Sequence, residues 1–154
     1  MTRHELIFNL RYAARVLEIS SSVWQKVNSI ARFASFLSGT AFIALMAAQS
    51  NEFGIMAAVM FGILLAVDAA TNPGEKAAAR LAQKKLYAQI LSEKDRLSDA
   101  ELQDRLQRAQ MEDEIIVSMQ IRQLAYNQVV VEKGLSESEK FPLNTWQKML
   151  QAVC

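Results

Sequence analysis

Two uncharged runs stand almost back to back in this chain and constrain its fold more than any other feature. Phe33–Gln49 (FASFLSGTAFIALMAAQ) has no ionisable side chain for 17 residues, and Phe53–Val67 (FGIMAAVMFGILLAV) follows after only Ser50, Asn51 and Glu52. At about 1.5 Å of rise per residue, each run is somewhat shorter than the roughly 30 Å hydrocarbon core, so flanking residues must complete a crossing. Ile30 and Ala31 precede the first run, and Ala69 and Ala70 follow the second after Asp68. Arg32 can extend its guanidinium to the headgroups, and Trp24 and Arg32 are the expected interface anchors.

A buried pair of helices in a soluble bundle is the alternative, since runs of this length also occur there. Three observations favour the membrane. Both runs are apolar on every side, and 154 residues cannot surround two such helices with protein. The link between them is too short to hold a domain. Five cations (Arg3, Arg11, Arg15, Lys26, Arg32) precede the first run and four (Lys76, Arg80, Lys84, Lys85) follow the second, with none in the link. The positive-inside rule then predicts both termini in the cytoplasm. A cleaved secretory signal is a poor reading of the first run. Residues 1–32 would all have to lead it, and such peptides total roughly 15–30 residues.

The flanks read as helix. Leu6, Leu10, Ala13, Leu17, Ser20, Trp24, Val27 and Ala31 make a stripe at steps of three and four, with the charges off it. Such a helix packs on another helix, the preferred reading, or lies on a membrane surface. Ser20-Ser21-Ser22 is a point where it can bend or restart, because serine hydroxyls compete for backbone groups. Thr71-Asn72-Pro73-Gly74 breaks the helix after the second run. The next helix is expected to carry the stripe Ala79, Ala82, Leu86, Ile90, Glu93 and Leu97. Ser98 with Glu101 forms a capping box for a helix running toward Ile115. Ile115–Lys133 is helix-compatible, with Gly134 as its C-terminal cap, and Phe141-Pro142 ends that region. Asn144 or Thr145 caps a last short helix with Trp146, Met149, Leu150 and Val153, whose apolar face has the bundle or lipid to dock on. Residues 75–97 carry six basic and three acidic groups, and 98–114 carry two and six. Antiparallel folding or subunit pairing would neutralise both halves, and solvation of each charge is the simpler account.

The chemistry is sparse. Seventeen basic against sixteen acidic residues argue against broad nucleic-acid binding. The single cysteine, Cys154, permits no intrachain disulfide and is not placed for prenylation. With one histidine, His4, and no nucleophile, phosphate-loop or zinc motif, no enzyme activity, metal, cofactor or small-molecule substrate is expected. Small residues recur at helical spacing instead: Gly54, Ala58, Gly62 and Ala66 in the second run, Ala31, Ser35 and Gly39 in the first, and Thr40, Ala44 and Ala48 beside them. These helix-packing faces either close the two helices on each other or join subunits of an oligomer. Ser35, Ser38 and Thr40 are mildly polar. Ser38 and Thr40 are candidate pore-lining residues unless their hydroxyls bond their own helix. Asp68 sits either at a cytoplasmic mouth or where the helix ends at the interface.

The fold expected is all-α. An amphipathic N-terminal helix (1–32) leads to a two-helix transmembrane hairpin (33–70), a long coiled-coil-like cytoplasmic arm (71–134) and a tail with a short helix (135–154). The order of these parts, with Pro73-Gly74-Glu75-Lys76 opening the arm and Leu124-Ala125-Tyr126-Asn127 before a glycine, resembles the SLATT family of two-span effector domains in bacterial conflict systems. The resemblance covers residues 1–134. It implies an inner-membrane effector that oligomerises and permeabilises or depolarises the membrane in antiphage defence, under control of a cytoplasmic sensor protein. Alternatives are a phage membrane protein of holin or superinfection-exclusion type, a membrane scaffold without a pore, and a soluble helical interaction protein.

Overall fold

A computed structural model describes residues 1–47, 51–113 and 115–153, with side chains except at 42, 45–47, 51, 52 and 153. Gln49, Ser50, Glu114 and Cys154, the side chains of Asn51, Glu52 and Val153, and Ala48 of the small-residue strip therefore lie outside the described set. Among the described residues six α-helices follow one another: α1 (Arg3–Ala47), α2 (Asn51–Thr71), α3 (Pro73–Glu93), α4 (Asp99–Met111), α5 (Met119–Glu132) and α6 (Thr145–Val153), with a 3-10 turn at Glu137–Glu139. Among the described residues there is no strand. The chain divides into two compact units, one of Met1–Val23 with the chain from Ala77 onward, the other Trp24–Lys76.

The larger unit is built around the N-terminal part of α1, which is buried on two faces. Leu6, Leu10 and Leu17 pack with Tyr87 and Ile90 of α3 and Leu102, Leu106 and Ala109 of α4. Val16 and Ile19, on the neighbouring face, pack with Ile121, Leu124 and Ala125 of α5 and Leu150 of α6. The predicted stripe is the first face from Leu6 to Ser20, where it packs on helices; farther along it Val27 is exposed. Tyr12, Val16, Ile19 and Val23 form the second, which a single-stripe reading misses.

The helix does not restart at Ser20-Ser21-Ser22; α1 is continuous through it. Two of the hydroxyls are used without cost to the helix. Ser21 Oγ donates back to the Glu18 carbonyl, and Ser20 Oγ accepts from Arg80 Nε at 2.6 Å in the core. Glu18 in turn binds Arg15 and Lys84, and Arg15 also pairs with Glu132.

The break at Asn72-Pro73-Gly74 shrinks to one residue. Asn72 takes a positive φ of 42°, yet its N–H still reaches the Asp68 carbonyl and its own carbonyl accepts from Lys76. Pro73 is the first residue of α3, where a missing N–H costs nothing and φ is already suitable. The predicted α3 stripe holds in its second half, where Ile90 is buried and Leu86 and Leu97 pack against the core, and misses in its first, where Ala79 and Ala82 are exposed and Ala77, Arg80 and Tyr87 are buried. Small alanines define a face weakly, and Tyr87, the largest fully buried side chain, decides it.

The remaining boundaries rest on local chemistry. Ser98 and Glu101 form the complete capping box that starts α4. That helix stops at Met111, and α5 begins only at Met119, later than periodicity suggests; Asp113 Oδ1 accepts from the Ile115 N–H in the link. Gly134 ends α5 with φ at 65°, its N–H on the Val131 carbonyl and the Leu135 N–H on that of Val130, the paired bonds of a Schellman motif. Asn144, rather than Thr145, caps α6: its Oδ1 accepts from the Gln147 N–H, and Gln147 Oε1 accepts from the Asn144 N–H. The two halves of the arm are joined by Glu93 and Arg105 across α3 and α4, which pairs the minority charge of each half rather than neutralising the excess charge of either.

Candidate functional site

The smaller unit carries the chain's apolar surface. Among the described residues one helical stretch, Phe53–Glu93 taken across Asn72, is long and apolar enough to cross a membrane, and only 6% of its apolar window is buried. The apolar part is α2. Phe53, Ile55, Met56, Val59, Met60 and Ile63 are each more than half exposed. A soluble helix of this composition hides such side chains, because fully burying one of them gains roughly 1.5–3 kcal/mol. The first run continues past residue 47 and so lies partly outside the described residues, but Phe33, Phe36 and Ile43 within it are exposed as well.

The two helices approach each other at a glycine. A Cβ built on Gly39 would stand 3.4 Å from the Phe61 ring, so the absent side chain lets that ring lie against α1. Ser35 beside it is half-buried. The second small-residue row changes character along its length. Gly54 is buried and Ala58 half-buried, whereas Gly62 and Ala66 are exposed, and nothing lies within 4 Å of a Cβ on Gly62. Within this unit, then, Gly39 serves contact between the helices and Gly62 does not.

The polar candidates separate in the same way. Thr40 Oγ1 donates to its own helix, at the carbonyls of Phe36 (3.0 Å) and Leu37 (2.9 Å), and Ser38 is half-buried. Asp68 does not end its helix, which runs on to Thr71. Its Oδ1 is buried and has no hydrogen-bond partner among the described residues. A desolvated carboxylate oxygen of this kind is costly and marks the boundary of the apolar run as a polar point. Trp24 is half-buried beneath the Lys76 ammonium, 4.8 Å from the ring centroid, and Arg32 is exposed.

The larger unit has a second feature that periodicity did not reveal. Tyr126 gathers Phe8, Tyr12 and Phe141 edge-on, with centroids 5.7, 6.3 and 5.2 Å away. Beside it Asn127 holds the Phe141 peptide at both ends: Nδ2 donates to the Phe141 carbonyl and Oδ1 accepts from its N–H, each at 2.8 Å. The only sequence signal was the Tyr126-Asn127 pair itself, with nothing to link it to Phe141. An open cleft of about 580 Å³ adjoins this clamp, lined by Arg15, Leu124, Asn127, Lys140, Phe141 and Lys148 among others. Two of its cations are already matched, Arg15 by Glu18 and Glu132, and Lys140 by Glu137.

Among the described residues Tyr87 is the titratable group shifted furthest from its ordinary value. Burial first, then the neighbouring Asp113 carboxylate, 3.4 Å from its hydroxyl, pushes the phenol up to about 12. It is a core hydroxyl, not a reactive one. Among the described residues no three His, Cys, Asp or Glu side chains come together as metal ligands would. No protein-family model, no curated protein and no solved structure matches this chain.

Proposed function

We propose that this chain is a small effector of the bacterial inner membrane, with both termini cytoplasmic, that assembles with copies of itself and permeabilises or depolarises the bilayer in antiphage defence. The exposed apolar surface of α2 carries the reading, because lipid is the environment in which such a surface has no cost. In this reading α1 and α2 form the transmembrane hairpin and close on each other at Gly39. The exposed part of the second row, Gly62 and Ala66, takes the neighbouring copy. The effector class and the defence role come from the resemblance to the SLATT family. A cytoplasmic sensor protein acts by preferring one packing of the helical unit, and shifts the assembly by its differential affinity for the two states.

A second reading, a membrane scaffold without a pore, has one observation in its favour. The Thr40 hydroxyl is spent on its own backbone, which leaves a path lined by Thr40 less polar than the residue type suggests. Inducible expression in bacteria loaded with a membrane-potential dye decides between them. Rapid depolarisation with the tagged chain in the membrane fraction is the expected result; membrane location with normal potential favours the scaffold; and a soluble product contradicts both.

A further inference from the structure

A second cleft, of about 330 Å³, opens between the start of α1, Tyr87 of α3, the link after α4 and Arg122 of α5. All of these belong to the larger unit. Small-molecule sites begin at roughly 300 Å³ and combine apolar walls with a few polar groups. Here Ala13, Val16 and Val117 supply the apolar wall, and the polar groups fall into two sets. Arg122 and Tyr12 make the first. Arg122 is exposed and forms no ion pair or hydrogen bond among the described residues, yet it is near enough to Tyr12 for its charge to act on the half-buried phenol. The Tyr12 hydroxyl and the amide of Asn9, a turn earlier on α1, have no hydrogen bond among the described residues either.

Tyr87 and Asp113 make the second. The half-buried Asp113 is held loosely, accepting at Oδ1 from the Ile115 N–H (3.2 Å) and at Oδ2 from the Tyr87 hydroxyl (3.4 Å). A hydroxyl on a carboxylate ordinarily closes to about 2.5–2.7 Å, so Oδ2 has capacity for a stronger donor. Buried Arg80 feels the same carboxylate, and with Arg122 it leaves the wall no excess negative charge to turn an anion away. A guanidinium and a carboxylate that share a cleft without pairing are complementary to one molecule carrying both charges. A ligand with an anion alone leaves Asp113 opposed to it, and one with a cation alone is opposed by Arg122. We propose that this cleft binds a small apolar amino acid as its zwitterion, the carboxylate on Arg122 and the Tyr12 hydroxyl, the ammonium on Asp113, and the side chain on the apolar wall. The site lies within one unit and does not depend on the α1–α2 hairpin.

The test is equilibrium dialysis of the detergent-solubilised full chain against radiolabelled leucine, with two unlabelled competitors. N-acetyl-leucine lacks the ammonium, and leucine amide lacks the carboxylate. Leucine is expected to bind, and each competitor to displace it at least about tenfold less well than unlabelled leucine does. Arg122→Gln is expected to weaken leucine by a similar factor. Because Arg122 is exposed and unpaired, its exchange leaves the melting curve followed by circular dichroism unchanged. Tyr12→Phe removes only a hydroxyl and gives a smaller loss. Competition by N-acetyl-leucine equal to that of leucine would show that Asp113 takes no part. Leucine not retained, or retained equally by Arg122→Gln, would leave a cleft that holds water alone. Each of these results overturns the proposal.

Discussion

Asn127 and Tyr87 show how single side chains decide this fold at positions where no pattern points to them. Asn127 replaces a missing segment of secondary structure, supplying both a donor and an acceptor to the Phe141 peptide. Asn127→Ala removes both and is expected to cost about 1–3 kcal/mol, read as a shift in the chemical-denaturation midpoint of detergent-solubilised protein. A change no larger than at an exposed position would mean that the clamp is incidental. Tyr87 makes a prediction in pH. Its ordinary value is 10.0, and in the folded chain it rises to about 12. The unfolded chain therefore gives up this proton first. The stability it contributes is complete below pH 10 and is lost as pH rises through 12. Titrated by phenolate absorbance, Tyr87 should ionise last or with unfolding, and Tyr87→Phe should remove that late step. Neither role was legible in the sequence, because each depends on a partner distant in the chain, Phe141 or Asp113.

Legibility was better for elements than for residues. Caps were the most readable, since their chemistry is complete within four residues: Ser98 with Glu101 starts α4, Asn144 with Gln147 starts α6, and Gly134 ends α5. Ser98→Ala is expected to cost about 1 kcal/mol, visible as a lower midpoint in denaturation followed by circular dichroism. Faces were read less well. The stripe Leu6, Leu10, Leu17 was correct but was half of a doubly buried helix, and the α3 stripe found Leu86, Ile90 and Leu97 but misplaced its start, because alanine distinguishes inside from outside weakly. The restart allowed at Ser20-Ser21-Ser22 did not occur; there a core arginine and a backbone carbonyl take up two of the hydroxyls. In the apolar runs, spacing found small residues but could not sort them. With Gly39 under the Phe61 ring and Gly62 facing open space, the two glycines now make opposite predictions. Gly39→Leu disrupts the contact between α1 and α2 and lowers the yield of folded protein. Gly62→Leu leaves the yield intact and abolishes both the cross-linked oligomer and the toxicity of expression. An oligomer unchanged in Gly62→Leu would assign that row to no assembly face.

At the scale of the whole molecule, one sequence builds two units with opposite surfaces. The unit of α3 to α6 and the start of α1 has buried cores of its own and joins its helices by ion pairs, Arg3 with Asp99, Lys84 with Glu18 and Arg105 with Glu93, while some apolar side chains such as Ile116 and Met111 stay exposed. The unit from Trp24 to Lys76 shows its apolar residues outward, and its charged residues in the sequence, Lys26, Arg32, Glu52, Asp68, Glu75 and Lys76, fall outside the two uncharged runs. Helix α1 contributes to both, with Leu10 and Leu17 in the first and Phe33 and Phe36 in the second. Because the first unit has its own core, Leu10→Ala should destabilise it by about 2–5 kcal/mol without releasing the chain from membranes. Everything proposed for function depends on the second unit lying in lipid. Alkaline extraction of membranes from cells expressing the tagged full chain tests this most directly. The account predicts that the chain stays in the membrane pellet with the integral proteins; recovery in the supernatant would contradict it.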